Sequence, residues 1–409
     1  MMHQTPFYNV CLKPEQQTVA GSYLELHLQR YLFPLLSFCG ILGNCLNLTV
    51  LFSKTSSSRS NMFLSTMALS DIIFLIFILP FSLINYPIFT YNYYFRLFYF
   101  YSKLHLRGIC NWCSAVTIWC VIAVCTDRLL GIRRPLMARM SYKKSIIINL
   151  FIIFTTGALT FYQHFEYYCP IREYCRNTQV LSMCKNVNTR GPWFRNATNP
   201  YSPWFITFID YSIYTNVFVI VILPIFILVI LNVYLLYTLK ERTNNWKMLN
   251  DKLNFGSEKN SNDLLKLHRT ENRVTITVAL IVTTFTITNG PSAIMTLLKS
   301  VSNMSHRNRT FVLFDLLTNA LVICGKTCNF LLFCLSSKHF RKRLLGIFLK
   351  KVRLRGDNVS IHLLESKFEI SKALQFNRLH KLMNNKNSDD DDKCVVKTKN
   401  GNRGRKSII

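Results

Sequence analysis

Acidic residues are scarce in this chain of 409: 20 Asp and Glu stand against 49 Lys and Arg, a formal net charge of +29. Charged residues of both signs make up only 17% of it, where a soluble domain carries about 25%. That shortage excludes a string of soluble domains. Catalytic signatures are missing as well. The apolar stretches hold no HExxH, no GxSxG and no paired aspartates, and His164 has no metal-ligating neighbour in the sequence. Neither an enzyme nor a bound cofactor or metal is expected. No nucleic-acid-binding motif accompanies the basic residues, so the excess positive charge is read as setting topology and meeting anionic membrane lipid. Internal repeats, usual in transporters, are absent. Residues 1–30 are polar and lack a charged start, an apolar core and a small-residue cleavage site, so no removable signal peptide is expected.

Apolar residues are abundant, at 50%, and they are bunched. Stretches of the roughly 20 residues a bilayer requires fall at 31–52, 62–86, 109–131, 146–168, 211–239, 274–298 and 311–335. The expected fold is an all-α membrane protein, a seven-transmembrane helix bundle. Residues 1–30 form an extracellular N-terminus and 31–337 the bundle. In 338–350, Phe340, Leu344, Leu345 and Phe348 recur at helical spacing between basic residues, which predicts an amphipathic helix on the inner leaflet. Residues 351–409 form a basic, largely disordered cytoplasmic tail.

Loop charge orients the bundle. Residues 53–61 carry Lys54 and Arg59, residues 131–144 carry five basic residues and no acid, and residues 337–344 carry four more. These alternate loops are expected in the cytoplasm, and the N-terminus outside the plasma membrane. Sequons at Asn196, Asn303 and Asn308 fall in loops that this topology places outside, where glycosylation is possible. Of 14 cysteines, many sit inside spans as small apolar residues. Cys11, Cys169, Cys175 and Cys184 lie on the outer side, free to pair, with Cys110 and Cys113 near the outer end of span three.

Polar residues inside spans are costly and mostly functional. They come in a telling order: Asn44 in span one, Asp71 in two, Asp127-Arg128 ending three, Pro224 in five, "FTITNGP" with Pro291 in six, and "CNFLLF" with Asn329 in seven. With this ordered set, residues 31–348 resemble the rhodopsin-like (class A) G-protein-coupled receptors. "TSSSRSNMFLSTMALSD", "HFEY" (164–167), "ILN" (230–232) and Asn329-Phe330 are most similar to the FMRFamide-type neuropeptide receptors of invertebrates. The resemblance implies an extracellular peptide ligand and a heterotrimeric G protein as partners. The runner-up is a nematode-type chemosensory receptor for small odorants, and a transporter relaying ions through Asp71 and Lys326 stands behind it.

The resemblance assigns further roles. Arg128, beside Asp127, is held by an acid in the resting state. Glu271 lies 20 residues before Pro291, about 30 Å along a helix, and is the candidate for that latch. Pro291 kinks span six into a pivot, and Phe285 repacks below it. Several positions depart from the family. The usual span-three cysteine is Lys103, so its disulfide is absent, shifted to Cys110, or replaced by a bridge within Cys169, Cys175 and Cys184. The usual span-four tryptophan is missing, the aromatic switch of span six is Asn289, and the closing tyrosine of span seven is Phe333. Cys110 stands where receptors for amines carry an aspartate. A ligand site among the outer halves of the spans would then draw on Glu166, Asp210 and Asp315 as carboxylates. The aromatic stretch "NYPIFTYNYYFRLFYFYSK" (85–103) reads either as an interfacial belt or as a stacking surface for a peptide.

Lys326 lies about ten residues, roughly 15 Å, from the inner end of its span, too deep to reach water. It needs an internal partner. Asp71 is expected to be that partner, in a central pocket walled also by Asn44, Thr117 and Asn329, with the ammonium where relatives hold sodium.

Overall fold

The computed structural model describes residues 9–52, 59–133, 142–189, 191–194, 197–253, 276, 279–298, 309–336, 341 and 344–346. Among them seven helices are long and apolar enough to cross a bilayer: Tyr23–Leu51, Asn61–Leu83, Tyr93–Gly131, Lys143–His164, Pro203–Thr238, Ala279–Leu298 and Thr310–Phe330. They are numbered one to seven as spans. Span two packs most extensively on spans one and three, and span seven on span one. A buried cluster of Phe33, Phe74, Leu75, Leu316 and Ile323, with Cys110 and Cys113, joins spans one, two, three and seven.

Without a hydrophobic effect between helices in lipid, close approach of backbones holds a bundle together. Gly40 and Gly43 provide it where spans one and seven cross. A Cβ on Gly40 would lie 2.6 Å from Leu75 and 2.9 Å from Thr327, and one on Gly43 would lie 2.7 Å from Phe330. Thr327 also donates to the Leu36 carbonyl at 2.9 Å. Gly325 does the same for spans six and seven, where any side chain would run into Thr288.

Two spans widen into π-helix shortly before a proline: Leu28–Leu32 ahead of Pro34, and Val217–Ile222 ahead of Pro224. Proline lacks an N–H and its ring clashes with the carbonyl four residues back. A π turn takes up that mismatch without ending the helix.

The span ends differ from the hydropathy reading in instructive ways. Span three starts at Tyr93 rather than 109, because the aromatic run 93–103 is helical. Its Tyr99 and Phe100 are buried against Ile84 and Val180. Span one starts at Tyr23, where Ser22 accepts from the Glu25 N–H at 3.1 Å and Glu25 accepts from the Gly21 N–H at 2.9 Å, a cap built from both ends. Span four gives way after His164 to a strand, and the helix of span five runs on to Leu253.

That strand, β1 (Tyr167–Tyr168), pairs antiparallel with β4 (Lys185–Asn186), and between them β2 (Ile171–Tyr174) pairs with β3 (Gln179–Ser182). The outer loop is thus a pair of short hairpin ladders on a helical bundle. Cys169–Cys184 closes its base, and Cys11–Cys175 ties the N-terminal segment to its tip. The tip turns through Cys175, Arg176 and Asn177, all at positive φ. Cys110, expected as a disulfide candidate, instead carries a free, buried thiol. The partner it would need, an outer-loop cysteine, is already committed within the loop or to the N-terminus.

Candidate functional site

Span seven brings Lys326 and Asn329 to one face, since residues three apart are neighbours on a helix. Both reach Asp71 of span two. Lys326 Nζ lies 2.8 Å from Asp71 Oδ1, and Asn329 Nδ2 donates to Oδ2 at 2.6 Å. From span three, Thr117 Oγ1 is 3.0 Å from Oδ1 and 3.0 Å from its own Cys113 carbonyl. A hydroxyl has one proton, and the charge-assisted bond to the carboxylate is the stronger. Span one closes the ring: Asn44 Nδ2 donates to the Lys326 carbonyl at 3.1 Å and to the Gly40 carbonyl at 2.9 Å, and Asn44 Oδ1 accepts from Asn47 Nδ2 at 3.4 Å. The ammonium also sits 4.5 Å from the centre of the Phe74 ring.

All of these groups are inaccessible, Asp71 and Lys326 being 0% and 3% exposed. Taking two ions out of water costs several kcal/mol each, and only good geometry with the remaining lone pairs satisfied offsets it. Here the carboxylate accepts from three donors on two other helices. The five residues expected at this pocket (Asn44, Asp71, Thr117, Lys326 and Asn329) converge.

At the inner end, Arg128 is half-buried, and its Nε has no hydrogen-bond partner among the described residues. Asp127 does have a partner. Glu271 lies outside the described residues. Phe285 is buried in span six, and Pro291 sits inside that helix. Spans five and six are linked here by Asn232 Nδ2 donating to Thr283 Oγ1 at 3.0 Å. Phe333 lies in the span-seven helix.

The residues expected to meet a ligand are more scattered in their bonding. Asp210 Oδ1 accepts from Asn188 Nδ2 at 2.7 Å. Glu166 accepts from Asn186 Nδ2 at 3.4 Å. Burial pushes the Glu166 carboxyl above the usual carboxylate range, opposed by the Arg107 guanidinium and by hydrogen bonds from Tyr167 and Asn186. Asp315 is half-buried and has a partner of its own. Cys110 packs in the core with its Sγ 3.8 Å from the Phe74 carbonyl, which places it beneath the outer mouth. Asn289 Nδ2 donates to the Phe285 carbonyl of its own helix at 3.0 Å. Asn196, Asn303 and Asn308 lie outside the described residues.

Sequence reasoning missed Arg96. It is 1% exposed and binds three backbone carbonyls: Val180 at 2.9 Å, Gln17 at 2.7 Å and Thr90 at 3.1 Å. It thereby fastens the N-terminal segment and the β2–β3 hairpin to the top of span three. Its sequence signal is only that of a basic residue inside the aromatic run 85–103. Asn149 of span four was missed too; its Nδ2 donates to Thr66 of span two at 2.8 Å.

Comparison with known proteins places this arrangement. The chain is 36% identical over 352 residues to a Caenorhabditis elegans protein named "Putative G-protein coupled receptor", covering 84% of this chain and 80% of that one. It is 28% identical over 182 residues to the cholecystokinin receptor type A of Canis lupus familiaris, 43% of this chain and 40% of that one. Residues 31–351 match the family described as serpentine type 7TM GPCR chemoreceptor Srw. Seven apolar helices joined through a buried polar centre fit that description: the chain is a multi-pass membrane protein and a member of the Srw family of seven-helix G-protein-coupled receptors.

Proposed function

We propose that this receptor sits in the plasma membrane with its N-terminus outside, binds an extracellular peptide of the FMRFamide-like type and activates a heterotrimeric G protein. The observation that carries the signalling part is the Asp71 junction. One carboxylate is held from spans three and seven at once, so a ligand that shifts either span at the outer end must strain or rearrange it. Orientation draws on the two disulfides. Both lie on the N-terminal side of the bundle, and disulfides persist in oxidising compartments. The strongly basic loops are expected on the opposite side.

Several features favour a peptide. Cys110 offers no carboxylate to a small amine. Asp210, Asp315 and Glu166 stand toward the outer ends, where a peptide's basic side chain would find a counter-charge, and the rings of Tyr168, Trp193, Tyr201 and Phe205 pack on one another in the outer loop and the start of span five. The match to a receptor named for cholecystokinin points the same way. One observation favours a second reading, a chemosensory receptor for small molecules: the matched family is described as chemoreceptors. Screening amidated peptides and small odorants side by side on the expressed receptor, with nucleotide exchange on the G protein as readout, separates the two. Activation by odorants alone would sink the peptide reading, and substrate flux without exchange would sink both.

At the inner end, the resting state is held by Arg128 pairing with Glu271. Glu271→Ala is expected to raise basal nucleotide exchange; unchanged basal exchange counts against the latch. At the centre, the Lys326 ammonium stands where relatives hold sodium. Agonist affinity is therefore expected to be indifferent to sodium, and a sodium-dependent shift in the unaltered receptor would refute that placement.

A further inference from the structure

In the sequence, His164 has no second metal donor beside it. The fold supplies one from 59 residues away. His105 of span three and His164 at the end of span four bring their Nδ1 atoms to 3.0 Å, with ring centroids 5.1 Å apart. A glycine makes this possible: a Cβ on Gly108 would lie 2.8 Å from His164 Cε1, so only a bare backbone lets the imidazole seat against span three. Phe161 flanks His164 edge-on at 5.7 Å. Nearby charge comes from Arg107, whose guanidinium lies 5.7 Å from the Tyr167 ring centre, and from Glu166, held by Asn186.

The depth suits an aqueous ion. His105 lies 23 residues before Arg128, about 35 Å along the helix, beyond a hydrocarbon core of about 30 Å. His105 is exposed and His164 half-buried. Two nitrogens bound to one tetrahedral zinc ion at about 2.0–2.1 Å stand about 3.3 Å apart. A separation of 3.0 Å needs a few tenths of an ångström of relaxation and a tautomer with both Nδ1 lone pairs free. Among the described residues no three His, Cys, Asp or Glu side chains converge, so water completes the coordination and the ion remains exchangeable.

We propose that His105 and His164 form a two-histidine site for a borderline-soft divalent transition ion, such as Zn2+, that clamps the outer ends of spans three and four. Imidazole donors suit Zn2+, Cu2+ and Ni2+ and do not suit Mg2+ or Ca2+. The site does not depend on which ligand the receptor takes.

The test uses the full chain in lipid nanodiscs, with Zn2+ alone as the probe and Mg2+ as control. Zn2+ is expected to raise the thermal unfolding midpoint, while Mg2+ leaves it unchanged. His105→Gln and His164→Gln are each expected to weaken the Zn2+ response by an order of magnitude or more. His105→Cys, which loses the imidazole contact but keeps a zinc ligand, is expected to retain most of it. That variant also decides the matter if the glutamine variants fold poorly. A response undiminished in the double glutamine variant would assign it to the other seven of the nine histidines and overturn the proposal. Absence of any response in the unaltered protein, or loss of it in His105→Cys, would overturn it as well.

Discussion

Among the described residues two cations are buried, and they are accommodated in opposite ways. Lys326, deep in span seven, faces a carboxylate at 2.8 Å. Arg96, near the outer end of span three, has no carboxylate partner among the described residues; it is held by three backbone carbonyls and lies 5.2 Å from the centre of the Phe100 ring. The difference follows from side-chain chemistry and depth. A lysine ammonium is a compact charge that demands a counter-charge when water is excluded, whereas guanidinium spreads its charge over five donors in a rigid fork. At the rim the carbonyls of Val180, Gln17 and Thr90 take up the guanidinium's Nε and Nη1 donors, while Nη2 has no hydrogen-bond partner among the described residues. Carbonyls could not satisfy the ammonium at mid-bilayer, where the helices keep their own occupied.

The largest expected effect comes from breaking one side of the deep pair. Lys326→Met strands Asp71 among apolar walls and is expected to cost about 3–5 kcal/mol, seen as loss of folded, surface-expressed receptor. Adding Asp71→Asn should recover much of that loss. A double-mutant cycle showing additive effects would mean the two groups do not communicate.

Arg96→Ala leaves buried carbonyls without donors and is expected to cost about 1–3 kcal/mol, with faster amide exchange confined to the N-terminal segment and the hairpin. Arg96→Lys keeps the charge but not the fork. If it behaved like the unaltered protein, the contrast drawn between the two cations would lose its basis.

Gly325→Ala sharpens the comparison by pressing on the deep site from behind. The added methyl must displace Thr288, and overpacking of this kind costs about 1–3 kcal/mol, read as a lower unfolding midpoint.

The smallest effect concerns pH at the rim. Glu166 is held above its usual value, chiefly by burial, so the folded state binds its proton more tightly than the unfolded chain does. The associated stability is present in full below the ordinary carboxylate range and fades as pH rises through the folded value. Glu166→Gln should flatten that decline in unfolding midpoints measured across mildly acidic pH; an unchanged slope would remove Glu166 as its source.

These sites were not equally legible in the sequence. A lysine inside an apolar run has few conceivable partners, and the carboxylate of span two was the obvious one. Spans were legible because hydropathy is a property of whole segments. Their ends were not, since the aromatics of 93–103 suit an interfacial belt and a buried helix face equally well. Disulfide partners were out of reach, because four cysteines allow three connectivities and Cys11 stands 164 residues from its mate. Arg96 was hidden because its partners are backbone atoms, which no residue pattern announces. Histidines 105 and 164 meet only once spans three and four have packed.

The Cys11–Cys175 bridge has a consequence for how the protein is made. It turns the first four spans into a covalent ring, with spans five to seven trailing as an open tail. Its second thiol lies beyond span four, so the ring cannot be sealed until four helices have been threaded through the membrane in the correct sense. A chain in which one of those spans fails to cross leaves its two thiols on opposite faces and stays unsealed. Closure of this ring therefore reports, on the nascent protein itself, that an even number of crossings separates its two thiols, as the first four of the seven spans provide.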